Sequence, residues 1–181
     1  LSGMLSGGIV VDCAGPVRLV LSGAKIDNPA GAAIHFVSCA NAAIEAADGT
    51  ENTLSDAKKQ KDADNNDDTN GDGGSDKNDG KKGKDGKNPK GAIHAAMPLN
   101  ISGGGALVVT GNAKHGVACE GALTIAGCAL TIRAESDGVH VDGDITVRGG
   151  TLDYSGGGDG LQSGAGVFIE SGTLTLFGQT S

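Results

Sequence analysis

The sequence predicts an all-β chain, a right-handed parallel β-helix (solenoid) of about six coils with three short strands per coil, interrupted once by a long charged loop insertion. Three observations predict it. Gly116, Gly138 and Gly160 recur at a spacing of 22 residues, and Gly91 precedes Gly116 by 25. Behind each glycine lie three short runs in which apolar residues alternate with others, the period of a strand with one inward face. The 181 residues include 33 glycines but only one tyrosine, three phenylalanines and no tryptophan. The core must therefore come from Val, Ile, Leu and Ala, which suits a narrow, regularly stacked interior.

Taken in order, the first coil offers Ile9/Val11, Leu19/Leu21 and Ala24/Ile26 as inward pairs. The second offers Ile34/Phe36, Ala42/Ile44 and Thr53/Leu54. The coil from Gly91 gives Ile93/Ala95, Leu99/Ile101 and Leu107/Val109, and the next gives Val117/Cys119, Leu123/Ile125 and Leu130/Ile132. The coil from Gly138 gives Val139/Val141, Ile145/Val147 and Leu152/Tyr154, and the last gives Leu161/Ser163, Val167/Ile169 and Leu174/Leu176. Such coils stack about 4.8 Å apart, each strand pairing in parallel with its equivalent one turn on. A β-sandwich would need hairpin turns and antiparallel neighbours, which this repeat does not suggest.

Residues 1–181 read as a single domain, with 56–90 as a low-complexity flexible insertion within it. That segment is rich in Asp, Asn, Gly and Lys and has too few apolar residues to offset its ordering entropy. A stretch around Asn66, Asn70, Gly71 and Asp72 has a faint calcium-loop look, but an EF-hand would need an acid where Asn66 and Lys77 stand. The chain opens on Leu1-Ser2-Gly3-Met4 without a visible signal peptide, as a fragment or mature form of a longer protein would. No run of 18 apolar residues exists, so no transmembrane segment is expected.

The net charge of −8 is unevenly placed. The insertion balances nine Asp against nine Lys, leaving 13 acids and five bases (Arg18, Lys25, Lys114, Arg133, Arg148) on the coiled body. So sparse a set of bases argues against nucleic acid, whose phosphates need a basic surface. A cation, or a partner bridged by cations, is the more natural ligand.

The segment from Asp48 through Gly49-Thr50-Glu51-Asn52-Thr53-Leu54-Ser55 to Asp56 resembles the GTxNxLxD signature of the clostridial-type extracellular carbohydrate-binding β-helix family. Gly91-Ala92-Ile93-His94, His115-Gly116-Val117 and Ser136-Asp137-Gly138-Val139 resemble that family's coil openings, in the same order. The resemblance covers essentially the whole chain. It implies a secreted or cell-surface β-helix shaped like a pectate lyase that binds calcium between coils. It also implies polysaccharide ligands such as cellulose and polygalacturonate, without known catalysis. One departure stands out. Tyr154 and Phe36 fall at inward positions and only Phe168 and Phe177 fall outward, so no aromatic platform exists on which crystalline cellulose could stack.

In a β-helix, residues one coil apart become neighbours, so chemistry is read down columns. The residues before the coil glycines run Lys90, His115, Asp137, Asp159, and a second column runs Ala96, Glu120, Asp142, Gly164. Carboxylates one rung apart repel unless a cation lies between them. With the calcium that the resemblance implies, Asp137 and Asp159 are the first candidate ligands, then Glu120, Asp142 and Asp144. Plain solvated turn acids are the alternative. The outward positions of the first strands run Val10, His35, His94, Ala118, His140, Gln162, expected as an exposed polar ladder, or as a metal pair if His35 and His94 meet.

Cys13 and Cys39 fall near the same corner of neighbouring coils, where a disulfide is geometrically reasonable in an oxidising compartment. Cys119 and Cys128 read as small core fillers. Arg133 and Arg148 lie on different edges and do not converge with Asp137, so catalysis is unsupported. The expectation is a non-catalytic, calcium-dependent polysaccharide-binding module. A fibre or stalk subunit that self-associates end to end, or a polysaccharide lyase-like or hydrolase enzyme, are its rivals.

Overall fold

The computed structural model describes residues 1–57 and 89–178, and there the 22-residue repeat becomes a right-handed parallel β-solenoid of about six turns. β1 (Gly3–Ser6) precedes the coils. The first is β2 (Ile9–Asp12), β3 (Pro16–Leu21) and β4 (Ala24–Asp27), and the second is β5 (Ile34–Ser38), β6 (Asn41–Ala46) and β7 (Glu51–Ser55). The third is β8 (Gly91–Ala95), β9 (Leu99–Ser102) and β10 (Ala106–Gly111), and the fourth is β11 (His115–Cys119), β12 (Leu123–Ala126) and β13 (Ala129–Ala134). The fifth is β14 (Val139–Val141) with β15 (Ile145–Gly156), and the sixth is β16 (Leu161–Ser163) with β17 (Val167–Gly178). No helix long and apolar enough to cross a membrane occurs among the described residues.

The first strands of all coils form one parallel sheet, β16-β14-β11-β8-β5-β2. The second and third strands form two further columns, which merge because β15 and β17 run through both positions. The bend within β15 falls at Gly149 and Gly150, both at positive φ (87° and 83°). Three separate strands per coil therefore hold for the first four coils, while the last two fuse strands two and three.

Inward columns follow the alternation of the sequence. Ile9, Ile34, Ile93, Val117, Val139 and Leu161 stack in the first sheet. Ile44, Ile101, Ile125, Val147 and Ile169 stack in the second column. Tyr154 sits between Ile132 and Leu176 in the third. It is buried, and its hydroxyl donates to the Ser136 carbonyl at 2.7 Å, so the one tyrosine enters the core with its polar tip satisfied. Phe36 is also fully buried, while Phe168 and Phe177 are exposed.

Three details differ from the expectation. The inward pair of β7 is Asn52/Leu54, since Asn52 pairs with Leu107 and Thr53 with Val108. His115 stands opposite Gly91, which places Lys90 one position off the column of His115 and Asp137. β1 adds a third-column rung below β4 that the alternation did not signal. The segment 56–90 lies largely outside the described residues, and so does the Asn66–Asp72 stretch. Asp56 itself is buried at a coil corner, so the ordered coil continues through it.

The glycine repeat has a steric cause. A Cβ on Gly116 would lie 2.3 Å from Ile132 Cγ2, on Gly138 2.6 Å from the Tyr154 ring, and on Gly160 2.9 Å from Leu176. Third-strand core residues of each coil thus fill the space a side chain would need. Gly91, one register position away, would instead meet only backbone atoms, at 3.0 Å and beyond.

The GTxNxLxD segment stitches three coils together. Asn52 is fully buried; its Oδ1 accepts from Gly23 N–H (3.0 Å) and Ala24 N–H (2.9 Å) of the coil below. Its Nδ2 donates to Thr50 Oγ1 and to the Ala106 carbonyl of the coil above, both at 3.1 Å. Leu54 fills the core, and Asp56 Oδ1 accepts from Asn112 N–H and Ala113 N–H. The motif's polar letters satisfy backbone groups that the ladder leaves open at corners.

Two predictions follow from these contacts. Gly138→Ala should lower unfolding free energy by about 1–3 kcal/mol through overpacking against Tyr154, whereas Gly15→Ala, with open space around it, should be near neutral in urea denaturation. Asn52→Ala orphans backbone groups at two coil junctions, each costing about 1–3 kcal/mol, so its denaturation midpoint should fall well below that of Thr53→Ala.

Candidate functional site

The outward column of the first sheet carries the histidines. Strand pairing sets Val10, His35, His94, Ala118, His140 and Gln162 on successive rungs. His35 and His94 meet across β5 and β8, with ring centroids 4.9 Å apart. The ladder is exposed only toward its ends: His35, His94 and Ala118 are buried, and so is His115 at the neighbouring corner. Among the described residues, His35 Nε2 and both ring nitrogens of His94 and His115 have no hydrogen-bond partner. Burial holds the His35 imidazole below its ordinary pKa and brings His94 down to about 4, with His35 and Lys90 adding to the effect and Asp142 opposing it.

The chemistry gathers one corner away. His115 opens β11, Asp137 precedes the glycine of the next coil, and His140 lies on β14. His115 and His140 stack with ring centroids 4.5 Å apart. Asp137 Oδ1 accepts the Asp159 N–H at 3.0 Å, which fixes the carboxylate between two coils. Its Oδ2 is then left 3.2 Å from His115 Nδ1 and 3.3 Å from His140 Nδ1. Gln162 Oε1, one rung further on, also contacts His140 Nδ1. Ligand-type atoms of His115, Asp137 and His140 all lie within 4.8 Å of one another. Burial, then His140 and Lys114, hold His115 down to about 4, against the pull of Asp137.

Sequence columns separated these groups. His115 and Asp137 belong to the pre-glycine column and His140 to the outward column, and the corner between them joins the two. The available signals were the 22-residue step from His115 to Asp137 and the Asp137-x-x-His140 spacing.

The other expected ligands are placed as follows. Glu120 and Asp142 are exposed on adjoining rungs, the Asp142 N–H reaching the Cys119 carbonyl at 3.0 Å. Glu120 Oε1 lies 3.8 Å from His94 Nε2. Asp144 Oδ1 accepts the Gly166 N–H at 3.0 Å, a coil-stitching role like that of Asp48 toward Gly104 N–H (2.9 Å). Asp159 is exposed and contributes its backbone, rather than its carboxylate, to Asp137.

Cys13 and Cys39 occupy adjoining rungs but are free thiols. The Cys13 sulfhydryl donates to the Gly15 carbonyl (3.5 Å), while Cys39 packs against the core. Burial, and then Cys13, push the Cys39 thiol up. Cys119 and Cys128 are buried in the core. Arg148 pairs with Glu170 at 3.1 Å in the open, so it does not face the histidine–aspartate cluster.

Residues 1–180 match the model of a family described as carbohydrate-binding domain-containing protein. Among solved structures, the polysaccharide lyase-like protein from C. thermocellum, as a gadolinium derivative, is similar with a TM-score of 0.73 and 28% identity. The match covers 96% of this chain and 66% of that one, so the chain spans about two thirds of that protein's length. No curated protein sequence matches significantly.

The buried His94 yields a pH prediction. Its folded pKa, about 4, lies below the 6.5 of an unperturbed imidazole, so the unfolded chain binds a proton that the fold refuses. Its contribution to stability is complete above pH 6.5 and is lost as pH falls toward 4. Thermal midpoints should drop across that window, and His94→Gln should make the drop shallower. An unchanged slope would show that His35, Lys90, Glu120 and Asp142 around it set the acid sensitivity instead.

Proposed function

The chain belongs to the carbohydrate-binding domain-containing protein family, and on that premise we propose that it is a secreted or cell-surface, calcium-dependent polysaccharide-binding module. Plant cell-wall glycans, acidic ones among them, are its ligand class. The observation that supports this reading is the match across residues 1–180, joined to an acidic body with few bases. An acidic glycan meets such a surface only with a cation between them, since like charges repel. Exposed Glu120 and Asp142, one rung apart, suit an oxygen-seeking ion better than Asp137 and Asp159 do, because Asp137 already holds a backbone N–H and two imidazoles. Asp144, two residues beyond Asp142, is also exposed and can add an oxygen, whereas Asp159 stands with Asp137 at the other end of the first strand. With no aromatic platform among the described residues, a polyuronate fits this surface better than crystalline cellulose.

A second reading, a polysaccharide lyase-like enzyme, draws on the name of the similar solved structure. It would need a base near the bound uronate. Buried His94, with Nε2 3.8 Å from Glu120, is such a group beside the acidic column, Arg148 being engaged by Glu170. End-to-end self-association is the third reading. Its support is the apolar surface exposed on the first and last described coils, Met4 and Val10 on one side and Phe168 and Phe177 on the other.

One set of measurements separates the three. Calorimetry with polygalacturonate should show binding in calcium that disappears in chelator, and Glu120→Gln with Asp142→Asn should weaken it at least about tenfold (~1.4 kcal/mol). Absence of binding with calcium present sinks the module reading. Release of unsaturated uronates, followed by ultraviolet absorbance, would establish the lyase. Sedimentation velocity that shifts with concentration would establish assembly.

A further inference from the structure

We propose that His115, Asp137 and His140, completed by Gln162, form a mononuclear site for a borderline divalent transition ion of the zinc class, which clamps coils four, five and six together. This site is separate from the exposed carboxylates of the glycan reading and does not rest on it.

The donor geometry comes first. Ligand atoms about 2.0–2.1 Å from a tetrahedral centre lie about 3.3 Å from one another. Asp137 Oδ2 is 3.2 Å from His115 Nδ1 and 3.3 Å from His140 Nδ1, which are the edges of such a polyhedron. Gln162 Oε1 touches His140 Nδ1 from the next coil, closer than the edge of such a polyhedron, and can complete the set once its amide swings off the ring.

Proton counting points the same way. His140 Nδ1 faces two oxygens, Asp137 Oδ2 and Gln162 Oε1, and one N–H cannot serve both well. His115 Nδ1 lies near the same Oδ2, yet makes no hydrogen bond among the described residues. Its side chain is only 2% exposed, so a lone pair or proton there has no easy recourse to water. A cation shared by these lone pairs resolves both mismatches.

The support for Asp137 is already in place. Its Oδ1 is fixed by the Asp159 N–H at 3.0 Å, the kind of outer contact that orients a ligating carboxylate. Two imidazole nitrogens select against calcium, which takes six to eight oxygens, and favour zinc, copper or nickel. Because the donors come from three successive coils, a bound ion would add a link to the backbone ladder and the Asp137 and Asp144 joints that already connect them.

The test uses the untagged, full chain, stripped by chelator and dialysed. Zinc titration followed by calorimetry and metal analysis should give one ion per chain and a raised thermal midpoint. Calcium in excess should neither displace the ion nor reproduce the shift. Cobalt(II) substitution should give the strong visible absorption of a four-coordinate site. His140→Ala, half-exposed and tolerable to the fold, and Asp137→Asn, which keeps an acceptor for the Asp159 N–H, should each weaken zinc at least about tenfold. His94→Asn should leave it unchanged. The proposal is overturned by no zinc uptake in the parent protein, by equal uptake in His140→Ala, by loss confined to His94→Asn, or by displacement with calcium.

Discussion

The parallel ladder between coils governs everything else in this molecule. It makes the residue 22 positions on a direct neighbour, about 4.8 Å away, so any side-chain choice is repeated or answered on the next rung. Inward columns can be uniform because Ile stacks on Ile and Leu on Leu. A tight corner demands glycine in the same place on the last three coils, as Gly116, Gly138 and Gly160 show against Ile132, Tyr154 and Leu176. The ladder lapses at corners, and each lapse leaves backbone N–H groups in need of an acceptor.

Short polar side chains meet that need. Asn52, Asp48, Asp56, Asp137 and Asp144 each accept at least one backbone N–H from an adjacent coil. An acidic sequence is therefore only partly a sign of cation binding: several of its carboxylates are joints. Asp137 has both characters, with one oxygen on the backbone and the other between imidazoles. That division also explains why a family signature such as Gly49-Thr50 through Asp56 reads as recognition but acts as carpentry, with Asn52 at zero exposure.

The near absence of aromatic residues fits the same geometry. A coil only a few side chains wide is filled by Ile, Val and Leu, and a ring enters only where the stack concedes space, as for Phe36 and Tyr154. Three imidazoles also go under cover on the outer side, where burial keeps them neutral. Uncharged, buried nitrogens beside a fixed carboxylate form a different kind of surface from the open acids Glu120 and Asp142, and the two call for different ions.

The repeat length and the three inward pairs per coil were legible in the sequence, because period-2 alternation and glycine spacing report directly on strand faces and tight corners. So was the inward position of Tyr154. Thr53 against Asn52 was misread because a buried, fully bonded asparagine does not look apolar. The stacking of His115 beside Asp137 and His140 was hidden because it joins two columns around a corner, and corner backbone sets which way His115 points. Cys13 and Cys39 share adjoining rungs, as their spacing implies. By itself the sequence determined the solenoid and its acidity, since both are properties of pattern and composition. Tertiary structure alone decided which carboxylates are joints, which are open, and which one faces two imidazoles, because those depend on the direction of each oxygen.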